Sequence, residues 1–156
     1  MTDFLTRRSV LAGAVAVTLA GLSGGAIAAT PQQAQDMVTK AIALFDEKGE
    51  AAFKVFDEGE ASGFVDGEVY IVVYSGGPDP KILAHATNSK LIGTPLSEIV
   101  DENGKAFATE ISQKATADGG WFDYVWLNPV VDKVQRKEAW AVLHENFVFL
   151  AGIYVE

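Results

Sequence analysis

Three segments rich in β-branched and aromatic residues follow one another closely at the end of the chain, over residues 121–126, 134–143 and 147–155. This composition is typical of strands. The last two segments are separated only by residues 144–146, a connection short enough for a hairpin. Because short links between consecutive strands favour antiparallel pairing, the end of the chain predicts a fold built on an antiparallel sheet.

The preceding part of the chain supplies two further strands and the helices. Residues 68–74 and 81–87 are predicted to pair through a turn that contains two glycines and two prolines. Helices are predicted over residues 31–48, 50–56 and 103–117. The order of helix, two strands, helix and three strands predicts an α+β domain with one sheet and helices packed against it.

The first helix has the clearest start signal. Thr30 is placed as the N-cap, Pro31 as the first helical residue and Gln33 as the partner in a capping box. Apolar residues then recur at helical spacing from Ala34 to Phe45, which predicts one face packed against the rest of the domain.

The first 28 residues have the pattern of an export leader. The segment from Thr6 to Leu11 reads TRRSVL, which is typical of twin-arginine signals, and an uncharged, glycine-diluted stretch follows. This stretch ends at Ala26-Ile27-Ala28, a small–x–small cleavage site. We expect residues 1–28 to be removed as a signal peptide and residues 29–156 to form one periplasmic domain. The alternative is an uncleaved leader that anchors the domain to the membrane.

Charge and residue counts exclude several function classes. A formal net charge of −9 is unfavourable for binding nucleic acid or an anionic membrane surface. The chain has no cysteine, which excludes disulfides, thiol catalysis and thiolate metal sites. It has only two histidines, His85 and His144, and the motifs of serine hydrolases, zinc enzymes and phosphate loops are absent. We therefore predict no catalytic residue, no metal site and no cofactor.

Aromatic residues are concentrated on two neighbouring predicted strands. Trp121, Phe122, Tyr124 and Trp126 lie within six residues, and Trp140 lies on the next strand. An aromatic wall with a few polar groups is a common way to build a small-ligand pocket. Plain core packing is the alternative, and it is the preferred interpretation for Phe122.

Two polar residues could face such a pocket. His85 lies on a predicted strand, as either a structural hydrogen-bonding group or a ligand contact. Lys137 lies near the start of an otherwise apolar strand, where its amine could extend to water or meet a ligand carboxylate through a charge-assisted hydrogen bond. The sequence leaves these alternatives open.

Six short segments spread over residues 31–155 resemble a known family in their order and spacing. They are Phe64–Gly67, Tyr70–Tyr74, Leu83–His85, Gly119–Pro129, Lys137 and Ala151–Tyr154. Together they resemble the single Cache domain, an extracytoplasmic sensor module that is usually the outer part of chemoreceptors and sensor kinases.

The resemblance implies a long N-terminal helix packed on a PAS-like antiparallel sheet of about five strands, with a ligand pocket between the sheet and the loops after the second strand. Family ligands are small organic acids or other metabolites. The pocket residues that the resemblance implies are Tyr70, His85, Trp121, Tyr124, Trp126, Lys137 and Trp140. Lys137 and Trp140 differ in strand parity, so they can share one pocket only if their strand bulges or starts irregularly.

The resemblance and the leader together predict a periplasmic binding or sensing domain. It would capture a small molecule, with a carboxylate favoured, and act with a separate membrane sensor or transporter. A non-catalytic structural or interaction module that has lost ligand binding is the alternative, and an enzyme is disfavoured. The acidic composition also permits a cationic ligand.

Overall fold

The computed structural model describes residues 27–156, so the predicted leader at residues 1–28 lies almost entirely outside the described part. The helices are α1 (Pro31–Lys48), α2 (Ala51–Phe56) and α3 (Phe107–Lys114), and the strands are β1 (Val65–Asp66), β2 (Val69–Tyr70), β3 (Val72–Ser75), β4 (Ile82–His85), β5 (Gly120–Asn128), β6 (Lys133–His144) and β7 (Phe147–Val155). None of the helices within residues 27–156 has the length and hydropathy needed to cross a bilayer.

Strands β3 to β7 form one antiparallel sheet in the order β4-β3-β7-β6-β5, and β1 pairs with β2 in a separate two-stranded ribbon. Helix α1 packs against β7 and β6. The Phe45 ring of α1 lies 5.1 Å from the Phe147 ring and 5.4 Å from the Phe149 ring of β7. The predicted α+β architecture, a long N-terminal helix on a five-stranded antiparallel sheet, is therefore confirmed.

Helix α1 begins as the sequence predicts. The Thr30 hydroxyl accepts a hydrogen bond from the Gln33 backbone N–H, and the Gln33 side-chain oxygen accepts one from the Thr30 N–H at 2.7 Å. This capping box satisfies two of the amide groups that a helix N-terminus leaves unpaired. Gly49, with φ of 60°, ends the helix.

The strand predicted over residues 68–74 is divided at Ile71. The Ile71 N–H donates to the Phe64 carbonyl, and the Ile71 carbonyl accepts from the Ala86 N–H. Because both backbone groups are taken by chain segments outside the main ladder, β2 and β3 form separate strands. The ladder between β3 and β4 also shifts register between Val73 and Tyr74.

The helix predicted over residues 103–117 is shorter than expected because its first residues belong to a loop. The Asp101 carboxylate accepts the N–H groups of Asn103, Lys105 and Val125, at 2.9, 2.9 and 3.2 Å. The last of these residues lies on β5, which is an edge strand, and the Lys105 amine also donates to a β5 carbonyl, that of Asp123. The loop thus covers part of the exposed edge of the sheet.

Candidate functional site

A small cavity lies on the face of the sheet opposite α1. Its volume is about 20 Å³, which is room for roughly one water molecule. Its wall is mostly aromatic and aliphatic, with one histidine and one lysine, and consists of Tyr70, Val72, Tyr74, Ile82, His85, Leu91, Phe107, Tyr124, Trp126, Lys137 and Leu150.

Strand pairing explains why distant residues meet at this cavity. Tyr124 of β5 pairs with Lys137 of β6, and Lys137 pairs with Tyr154 of β7. Directly paired residues on neighbouring strands project from the same face of a sheet, so these three side chains lie side by side. Toward the opposite edge of the sheet, and on the same face, β4 brings His85 opposite Val72 of β3.

Lys137 is the most unusual residue of the cavity. Its side chain is 2% exposed, and its Nζ atom lies 3.8 Å from the ring centroid of Tyr70 and 4.9 Å from that of Tyr154. The ion pairs formed within residues 27–156 all involve other cations. The amine therefore does not extend to water.

A buried cation without a carboxylate partner is costly, and contact with aromatic faces compensates only part of that cost. The cavity therefore has a positive charge that an anion could neutralise. This property follows from the burial of Lys137 together with the absence of an ion-pair partner among residues 27–156.

His85 is neutral, and its bonding leaves one ring nitrogen as a hydrogen-bond donor. Burial, together with the charge of Lys137, lowers the pKa of His85 to about 3. The hydrogen bonds that the imidazole ring forms within residues 27–156 are at Nδ1. This atom accepts from the Asn88 backbone N–H at 3.1 Å and lies 3.5 Å from Thr87 Oγ1. The proton is thus assigned to Nε2, which can donate to a ligand.

Two tyrosine hydroxyls form a chain beside the lysine. The Tyr154 hydroxyl donates to the Leu127 carbonyl at 2.7 Å, so the Tyr70 hydroxyl, 3.3 Å from it, acts as the donor to Tyr154. Burial raises the pKa of Tyr154 above its usual value, which keeps the hydroxyl protonated. Because both hydroxyl protons are used within this chain, the donors available to a ligand come from the other cavity residues: the Lys137 amine, His85 Nε2, the hydroxyls of Tyr74 and Tyr124 and the indole N–H of Trp126.

Five of the seven residues that the family resemblance implies are brought together at the cavity: Tyr70, His85, Tyr124, Trp126 and Lys137. The structure also adds three aromatic residues that the sequence did not single out. Tyr74 and Phe107 line the cavity, with the Phe107 ring stacked 3.9 Å from that of Tyr124, and Tyr154 contacts the lysine amine.

Trp121 and Trp140 are not brought to the cavity. Strand β6 pairs with β7 in continuous register from Arg136 to His144, so the bulge that would place Trp140 beside Lys137 does not occur. Strand alternation instead directs both tryptophans to the opposite face of the sheet, where their rings lie 5.4 Å apart. Trp140 packs so closely over Gly119 that a Cβ at that position would lie 2.1 Å from its ring.

A larger cleft, of about 800 Å³, lies between the β3–β4 turn and α3. It is open to solvent, and its charged residues Asp79, Lys81 and Glu98 are exposed. Exposed charges are screened by water and need no ligand to neutralise them. The chemistry of the small cavity, where a charge is buried, makes it the better candidate site.

We predict that the stability of the domain decreases with decreasing pH in a manner that depends on His85. The pKa of His85 falls from its ordinary 6.5 to about 3 on folding, so the unfolded chain binds more protons between these values. The stabilisation from neutral His85 is therefore complete above about pH 6.5 and is lost progressively as the pH falls toward 3. Urea denaturation of the wild type and His85→Gln at about pH 7, 6 and 5 measures this, and we expect a weaker pH dependence in the variant.

The control for this measurement is His144→Gln. His144 is the second histidine and lies on the other side of the sheet, where its Nε2 is 2.6 Å from Asp46 Oδ1. Identical pH dependence in the wild type and His85→Gln would contradict the assignment of a depressed pKa to His85.

Comparisons with known proteins agree with this architecture. Similar solved structures include a methyl-accepting chemotaxis protein from Vibrio parahaemolyticus RIMD 2210633, with a TM-score of 0.61 and 22% identity over 80% of this chain and 88% of that chain. The periplasmic sensor domain of a chemotaxis protein has a TM-score of 0.57 and 22% identity over 80% and 90% of the two chains. A Cache chemosensory domain described by its carboxylic acid recognition has a TM-score of 0.54 and 23% identity over 80% and 88%.

At these identities the structural likeness shows a shared fold. No curated protein matches the chain in sequence. The family described as Single Cache domain 2 matches residues 25–156, which includes all of residues 29–156. The chain therefore belongs to the Single Cache domain 2 family.

Proposed function

We propose that the domain is a periplasmic sensor that binds a small carboxylate at Lys137. The observation that carries the proposal is the buried Lys137 amine, which lies against the rings of Tyr70 and Tyr154 and forms none of the ion pairs within residues 27–156. Membership of the Cache family supports a ligand-sensing role outside the cytoplasm. The similar Cache domain described by its carboxylic acid recognition supports the ligand class.

In this proposal the carboxylate takes the place of the aromatic faces as the partner of the amine. A charge-assisted hydrogen bond between an ammonium group and a carboxylate is about twice as strong as a neutral one. The neutral His85 donates a second hydrogen bond from Nε2. Aliphatic and aromatic side chains, among them Val72, Leu150 and Trp126, surround the rest of the ligand, which favours a short alkyl group over a second charge.

The cavity must widen for such a ligand, because about 20 Å³ holds roughly one water molecule. The same small volume favours the second candidate function, a structural or interaction module that keeps the fold without binding a ligand. In that case the lysine and the tyrosines would fill the former pocket permanently. Ligand titration separates the two functions.

For the biological context we propose export through a twin-arginine leader at residues 1–28, with residues 29–156 as the functional domain. The domain would then transmit ligand binding through a separate membrane protein, a sensor or a transporter. We also propose that it has no catalytic activity, in keeping with a family of sensors. Trp121 and Trp140, on the other face of the sheet, have no role in the proposed site.

We predict that the periplasmic form of the protein begins near Ala29. Cleavage after Ala26-Ile27-Ala28 leaves the Thr30 cap of α1 intact. Intact-mass spectrometry of protein from the periplasmic fraction measures this, with lysine substitution of Arg7 and Arg8 as the control that should block export. A full-length chain in the membrane fraction would contradict cleavage and indicate an N-terminal anchor.

We predict that small carboxylates such as acetate and propionate stabilise the domain, whereas their uncharged amides do not. A ligand at 100 times its Kd adds about 2.7 kcal/mol, which raises the Tm of a domain of this size by about ten degrees. Lys137→Met should weaken binding by about 10- to 100-fold, since a hydrogen bond to a charged group contributes about 1.5–3 kcal/mol. Thermal melting identifies the ligand and isothermal titration gives the Kd.

The matched control is Lys133→Met, the same substitution at an exposed position of the same strand. It should leave the Kd unchanged. Without ligand, Lys137→Met should be at least as stable as the wild type, because it removes a buried charge that has no ion-pair partner within residues 27–156. Equal affinity of the wild type and Lys137→Met, or no stabilisation by any carboxylate, would exclude the proposed site.

A further inference from the structure

We infer that Gly152 is the positioning residue of the site, because the absence of a side chain there provides the space through which Lys137 reaches the cavity. The inference rests on the proposed function, in which the Lys137 amine holds the ligand. Gly152 does not line the cavity and does not contact the ligand itself. It acts by fixing where the amine lies.

The geometry around Gly152 shows a close approach. A Cβ atom built at Gly152 would lie 2.7 Å from Lys137 Cε, 2.7 Å from the Glu138 carbonyl oxygen and 3.1 Å from Ala139 Cα, and real Cβ atoms essentially never have neighbours closer than 3.0 Å. Gly152 pairs with Ala139 on β6 and lies two residues before Tyr154, on the same face of β7. The stem of the lysine therefore crosses β7 directly above this glycine.

The backbone conformation does not explain the glycine. Eight glycines among residues 27–156 have positive φ angles, which disfavour residues with a Cβ, and Gly152 is not one of them. Alanine could therefore adopt the backbone conformation at this position. What alanine lacks is space, and of the three nearest atoms one belongs to the lysine side chain and two to the β6 backbone.

The position of the amine depends on this space because no ion pair fixes it. Lys137 forms none of the ion pairs within residues 27–156 and contacts ring faces, which attract a cation without a preferred bond direction. A methyl group at position 152 would push Cε aside and move Nζ away from the Tyr70 ring. The ligand carboxylate could then no longer accept hydrogen bonds from both the Lys137 amine and His85 Nε2 in the wild-type arrangement.

The test is Gly152→Ala, examined without and with a ligand. In the wild type the ring of Tyr70 should shift the ε-methylene NMR signals of Lys137 upfield, and Lys137→Met assigns those signals. In Gly152→Ala we expect the signals to move toward the values of a solvated lysine. We also expect the Kd for acetate or propionate to increase by about tenfold or more, since a charge-assisted hydrogen bond weakens steeply with distance and angle.

The matched control is Gly119→Ala. It also introduces a methyl group at a crowded glycine, but the obstruction is with Trp140 on the opposite face, and its φ of +80° adds strain. It should lower the Tm while leaving the Lys137 signals and the Kd unchanged. Unchanged Lys137 signals in Gly152→Ala, or shifted signals with the wild-type Kd, would overturn the inference.

A further pair of variants covers the case in which Gly152→Ala fails to fold. In the Lys137→Ala background the obstruction with Cε is gone and the close backbone contacts with the Glu138 carbonyl and Ala139 Cα remain, so Gly152→Ala should lower the Tm less than in the wild type. An equal decrease, or failure to fold in both backgrounds, would show that the backbone alone requires the glycine and would overturn the inference. The NMR and Tm readouts need no ligand, so a wild type that binds neither acid would refute the proposed function without deciding the role of Gly152.

Discussion

The contact between the Lys137 amine and the face of the Tyr70 ring organises the cavity side of the sheet. It buries a positive charge in a wall of aromatic side chains, and the Tyr70–Tyr154–Leu127 hydrogen-bond chain holds the two rings in place. The same charge, added to burial, keeps His85 neutral by lowering its pKa. The contact also requires a glycine on β7 beneath the lysine stem. Charge, protonation state and packing at the site thus depend on one side chain.

Much of this arrangement could be predicted from short-range patterns in the sequence. Three local features appear in the structure as expected: the capping box, the hairpin between β6 and β7, and the strand at residues 147–155. A hairpin that pairs His144 with Phe147 also pairs Lys137 with Tyr154 by simple counting along the two strands. The importance of Tyr154 could therefore have been found from the sequence, although it was not singled out.

The differences arose where long-range contacts decide the outcome. The break at Ile71 depends on hydrogen bonds to Phe64 and Ala86, and the loop before α3 is shaped by Asp101, whose carboxylate also bonds β5. Neither is visible in the periodicity of a single segment. For Trp121 and Trp140, the position-by-position resemblance to the family conflicted with strand alternation, and the continuous register of β6 with β7 follows alternation. The lysine stem above Gly152 likewise becomes apparent only when two strands are paired.

A crystal structure of the domain grown with propionate tests most directly whether the buried Lys137 amine is the carboxylate-binding group. We expect a carboxylate oxygen at about 2.7–2.9 Å from Lys137 Nζ, with the amine moved from the Tyr70 ring and the cavity enlarged. Propionate bound instead in the 800 Å³ cleft beside the β3–β4 turn, with Lys137 still over Tyr70, would contradict it.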